Sequence, residues 1–162
     1  MNTFVESLLS AWRANGDYAQ KLVADLVDEQ MIIQPQPKMN HPAWILSHLN
    51  AYHPVLIGLV RGQTPDDPIL HRFGMKSHPE QDASLYGTKE QLIATFKQGH
   101  GELDELMQSV DVAVFEKRMP LERWQTRFPK VGSVLGYVMI AHEATHLGQL
   151  SVWRRVQGLP SV

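Results

Sequence analysis

His142 and His146 lie four residues apart in Ala141-His142-Glu143-Ala144-Thr145-His146-Leu147-Gly148-Gln149. On a helix they stand one turn above each other, so their imidazoles converge as two ligands of one metal ion must. Leu135, Val138, His142, His146, Gln149 and Trp153 follow at steps of three and four, one stripe whose other members are mostly apolar. Such a stripe points the two histidines at a core. A buried imidazole needs a partner for each ring nitrogen; a metal satisfies one and a hydrogen-bond acceptor the other. The competing reading is a pair of hydrogen-bonded core histidines.

A third ligand must come from another helix. His48 belongs to the apolar series Trp44, Ile45, His48, Leu49, Tyr52, Leu56 and Leu59, whereas His41 and His53 fall off that stripe. His71 and His78 sit in a polar connection and read as solvated, and His100 reads as structural. His48, His142 and His146 would give three neutral imidazoles and an open position, the arrangement of catalytic rather than structural metal sites. That donor set suits Zn, Ni or Fe(II) and excludes Ca or Mg as the intended ion. Glu143, Gln149 and Asn50 are the polar residues expected nearest the open position, and so the candidates for catalytic roles. The same segment matches H-E-x-x-H, in which Glu143 would be the base of a metallopeptidase. No strand pattern precedes the helix to bind a peptide and no further ligand follows it, so this is the weaker reading. The plain alternative for Glu143 is a solvated or ion-paired side chain.

Four amphipathic helices must position these residues. Residues 3–29 repeat Val5, Leu8, Trp12, Ala19, Leu22 and Leu26 at helical spacing, through an Asn15-Gly16 pair that also suits a turn. Asn40 and Pro42 mark the start of a second helix, in which Pro54 should bend the chain near His48. Residues 61–87 form a long segment rich in Gly, Pro and Asp, of a length that often edges a binding site or a subunit contact. Thr88 with Gln91 reads as a capping box opening a third helix through Leu92, Phe96, Leu103, Leu106 and Val110. Residues 111–129 read as irregular, with Trp124 and Phe128 folding back onto the bundle. The last helix spans residues 131–157 and stops at Gly158, with Arg154 and Arg155 at the negative end of its dipole. Its first half is apolar nearly all round, which calls for cover by the bundle or by a second subunit, and Gly148 suits close approach of another helix. No strand-like alternation and no repeat appears. The expected fold is all-α, a single four-helix-bundle domain over residues 1–162 with a long irregular connection between helices 2 and 3.

Composition narrows the function. The chain of 162 residues has no cysteine, so any thiol in its chemistry arrives as a small molecule. A net charge of −2 without a dense basic run argues against nucleic acid as a partner. No apolar stretch approaches the ~20 residues that span a bilayer, and the N-terminus lacks a basic, uninterrupted signal pattern. A cytoplasmic protein with a small-molecule substrate is expected.

Trp44-x-x-x-His48-Leu49 together with His142-x-x-x-His146-x-Gly148-Gln149-Leu150 resembles the DinB/YfiT superfamily. Tyr86-Gly87-Thr88-x-Glu90 and Trp153-Arg154-Arg155-x-Gln157-Gly158 fit it too, so the resemblance covers nearly the whole chain. It implies a four-helix bundle, commonly a homodimer, whose three histidines hold a divalent ion such as Ni or Zn; motif by motif these are His48, His142 and His146. Relatives include S-transferases that use bacillithiol, mycothiol or another low-molecular-weight thiol, and a mycothiol-dependent isomerase. No motif here fixes the thiol. The resulting expectation is a metal-dependent enzyme activating a small thiol (S-transferase type) or water. The alternative is a non-enzymatic metal-binding or stress-related bundle.

Overall fold

The computed structural model describes residues 2–162. Helix α1, Thr3–Val23, is capped by the Asn2 side chain, which accepts from the Phe4 amide at 2.8 Å. Helix α2 is Pro42–Val60 and α3 is Lys89–Gln108. The last helix, α4, runs as three continuous pieces: α-helical Val131–Gly136, a wider π-helical turn Tyr137–His142, and α-helical Glu143–Val156. Among the described residues there is no strand, and the chain is all-α. Single turns at Ala113–Glu116 and Glu122–Gln125 interrupt the connection before α4. Among the described residues no helix is long and apolar enough to cross a membrane.

Helix α2 is the centre of the bundle. From Pro42 to Leu59 every residue but Asn50 and Pro54 is buried, which explains why His41 and His53, off the apolar stripe, are nonetheless enclosed. Pro54 is accommodated because it occupies the exposed side.

Several expected boundaries shift for tertiary reasons. Helix α1 ends at Val23 rather than near residue 29. There the Lys89 ammonium, at the start of α3, donates to the carbonyls of Val23, Ala24 and Leu26, groups that a longer helix would have used internally. The cap of α2 is His41 rather than Asn40: His41 Nδ1 accepts from the Trp44 amide at 3.1 Å, while Nε2 lies 3.0 Å from the Glu80 carbonyl. The Thr88–Gln91 capping box opens α3 as expected, and Gly158, at φ 70°, follows the end of α4.

The Asn15-Gly16 pair makes no turn. Asn15 Nδ2 reaches the carbonyls of Met139 (3.3 Å) and Ile140 (3.4 Å) within the π-helical turn, bracing a stretch whose widened spacing loosens its own hydrogen bonds. Gly16 faces His100, and a Cβ built there would fall 2.6 Å from His100 Cε1. By contrast, a Cβ at Gly148 would meet nothing within 4 Å among the described residues, so the expected close approach of another helix is not made there.

The apolar core forms two clusters. One includes Leu8, Trp12, Tyr52, Leu56, Leu103 and Val138; the other includes Leu22, Trp44, Ile45, Phe96, Leu147 and Trp153. On α4 the polar residues His142, Glu143 and His146 lie between the two clusters in chain order; on α2, His48 and His53 stand either side of the changeover from one cluster to the other, and on α3 His100 lies between Phe96 and Leu103. A polar layer thus crosses the bundle.

Candidate metal centre

The layer brings together the three histidines selected from spacing. One ring nitrogen from each of His48, His142 and His146 lies within 4.8 Å of the others. His48 Nε2 and His142 Nε2 are 3.1 Å apart. The far nitrogens explain how the rings are held. His48 Nδ1 lies 2.6 Å from the Phe73 carbonyl, which can only accept, so the proton of the neutral ring belongs on Nδ1 and Nε2 presents a lone pair. His146 Nδ1 lies 3.1 Å from Gln149 Oε1, which also accepts from Asn40 Nδ2 at 3.0 Å; this ring too turns its Nε2 lone pair inward. Trp44 stacks on His48, ring centroids 4.7 Å apart and planes within 14°.

Burial, reinforced by the neighbouring rings, pulls the second protonation of His48 down to about 4 and of His142 down to about 3. Burial lowers His146 as well, although its bond to Gln149 opposes the shift. All three are therefore neutral near pH 7, the form that ligates metal. The donor set fits a divalent ion on an internal observation: lone pairs converge on one point while two of the three outer nitrogens are tied to oxygens. The third, His142 Nδ1, is buried without a partner.

The other candidates are placed differently. Gln149 does not border the open side; it orients His146. Asn50 is turned about 200° from His48 around the helix. Its amide donates to the Leu92 carbonyl at 3.1 Å, and it lines a separate cavity between α2 and residues 61–87. Glu143 is 2% exposed and faces His100, with Oε1 3.4 Å from His100 Nε2. Burial raises its pKa, partly countered by His100. It does not line the cavity over the histidines, so the H-E-x-x-H match puts no base there.

That cavity, about 380 Å³, opens beside the three rings and is walled by Trp44, Tyr52, Trp124, Phe128 and Tyr137, with Arg123 and Arg127 at its edge. Two loops build it. Residues 117–131 are pinched at the neck by Met119 N–H to Pro129 O and Val131 N–H to Lys117 O, both 3.0 Å, and carry Trp124 and Phe128 inward. Within residues 61–87, Gly74 permits a tight curl, since a Cβ there would sit 1.6 Å from the Pro68 carbonyl oxygen. The curl delivers the Phe73 carbonyl to His48, and Trp44 Nε1 donates to Ser77 Oγ at 3.1 Å beside it. Arg123 joins the loops by pairing with Asp67 at 2.5 Å. The sequence signalled Trp124 and Phe128 but not Phe73, whose contribution is a backbone oxygen.

An all-α bundle that gathers three imidazoles, two buried and one half-buried, from two helices beside an aromatic cavity defines a class: helical proteins with a histidine site compatible with a divalent ion. The DinB superfamily model matches residues 11–150, and the chain belongs to that superfamily. No curated protein matches it.

Proposed function

We propose that this protein is a divalent-metal-dependent enzyme, of thiol S-transferase or hydrolase type, working at His48, His142 and His146 as a homodimer. Nickel or zinc is the proposed ion, with iron a further fit to three imidazoles. When bound, such an ion supplies the positive charge that brings a small thiol, or water, to its ionised form near neutral pH. The chain's residues do the rest. Phe73 and Gln149 fix the two rings they touch, and Trp44 holds His48 from the side. Tyr52, Trp124, Phe128 and Tyr137 give an electrophile an apolar bed beside the rings and limit water there. The thiol would come from outside, the chain having no cysteine.

The observation that supports this reading most is the convergence of three ring nitrogens at the floor of an organic-sized cavity. Metal analysis of protein purified without chelator, followed by a thiol-conjugation and hydrolysis screen, tests it. About one divalent ion per chain and metal-dependent turnover are expected. Ion saturation at about 100 times Kd should stabilise the fold by roughly 2.7 kcal/mol. That gain without any turnover would favour the non-enzymatic bundle, and chains that cannot be loaded would overturn the site.

A further inference from the structure

We propose that the cavity over the histidines takes a small organic anion, a flat apolar molecule bearing a carboxylate, and that Arg127 is the residue that selects it. The inference rests on the proposed function only in treating the cavity as the substrate site.

Its lining is asymmetric in charge. Arg123 and Arg127 border it, and no Asp or Glu is among its lining residues. Of the two cations, Arg123 is already satisfied, with Nε and Nη2 on Asp67 at 2.9 and 2.5 Å and Nη1 at 3.4 Å from Met75 Sδ. Arg127 is exposed, and its guanidinium makes no ion pair or side-chain hydrogen bond among the described residues; two aromatic rings stand beside it. Its guanidinium carbon stands 4.4 Å from the Tyr137 ring centroid and 5.0 Å from that of Phe128. Stacking of this kind orients a guanidinium and leaves its in-plane N–H donors available, the fork geometry that grips a carboxylate in two places.

A second group points the same way. Tyr52 is 4% exposed and lines the cavity; its hydroxyl makes no hydrogen bond among the described residues and is not sealed in the core, so it opens toward the cavity. A hydroxyl that opens into the cavity is free to donate to an acceptor bound there. An anion with several acceptor oxygens meets both donors, while the aromatic walls suit a flat apolar remainder. A volume of about 380 Å³ limits that remainder to a small molecule.

Calorimetric titration with cinnamate and its uncharged counterpart cinnamamide, on zinc-loaded and metal-free protein, tests the proposal. The metal-free chain should bind cinnamate about tenfold more tightly than the amide. Arg127→Gln should reduce that preference to within about twofold with metal content unchanged, and Arg127→Lys, which keeps the charge without the fork, should fall between. A preference that survives Arg127→Gln, or that vanishes in His48→Ala because the metal alone holds the anion, would overturn it. Equal affinity for both probes, or binding of neither, by wild-type chains that carry metal would overturn the role of Arg127 and leave the metal reading standing. A carboxylate preference in chains that cannot be loaded would do the reverse.

Discussion

His48 shows how much of the site was legible one residue at a time. Its place on a helical apolar stripe is enough to select it over His41 and His53, because side-chain periodicity is a property of the local chain. What holds it was invisible: the Phe73 carbonyl belongs to a loop whose path depends on a glycine and carries no side-chain signal. Gln149 is the opposite case, a polar residue noticed in sequence whose structural position gives it an orienting task. Glu143 and Asn50 were grouped with the site by nearness in sequence, yet a residue or two of separation on a helix swings a side chain by 100° or 200°. Two outcomes follow. His48→Ala should lose most of the bound metal while the far-ultraviolet circular dichroism stays helical, and unchanged metal content would remove His48 from the site. Gln149→Ala, which frees the His146 ring and leaves all three ligands in place, should weaken metal affinity by roughly 10–100-fold in a competitive chelator titration.

At the scale of elements, the helices were readable because each carries its own period, its cap or its stop, as Thr88, Gln91 and Gly158 do. Their ends were less so. Lys89 ends α1 from more than sixty positions away, and the π-helical turn in α4 is braced by Asn15 of α1; neither contact leaves a mark in the local pattern. Gly16 illustrates the same limit. In sequence it is a weak point worth ~1 kcal/mol of helix propensity. In the fold it makes room for His100, whose ring stacks on Trp12 with centroids 3.7 Å apart and planes at 2°. Gly16→Ala should therefore destabilise, by roughly 1–3 kcal/mol, instead of strengthening the helix. Urea melts followed at 222 nm will show which, and a stabilised variant would mean that the His100 ring moves aside freely.

At the scale of the whole molecule, Arg154 closes the bundle. It is 1% exposed and donates to the Leu22 carbonyl (2.9 Å), to Asp25 (2.5 and 2.8 Å) and to Pro160 O (3.0 Å). Read from sequence it was a charge at the end of its own helix; folded, it ties α1, α4 and the C-terminal residues together. The bond to Arg154 holds the Asp25 carboxyl below the usual aspartate range. A depressed folded pKa contributes stability that is present above the unfolded value and is lost as pH falls through the folded one. Thermal melts should thus weaken on acidification below about pH 4, and Asp25→Asn should flatten that part of the profile; an identical acid limb in the variant would exclude the pair as its source. Ile140, Val152 and Val156 are exposed along α4, where sedimentation equilibrium should report a dimer. A monomer at high concentration would leave that face without the proposed second copy.

The polar layer across the bundle has a thermodynamic consequence of its own. Water-averse packing is interrupted there, so cooperativity has to be relayed from one end of the protein to the other through imidazoles and a carboxylate. Amide exchange near Trp153 and near Leu103 should then decay at separate rates in the metal-free chain, and a cation that clasps α2 to α4 should bring the two rates together.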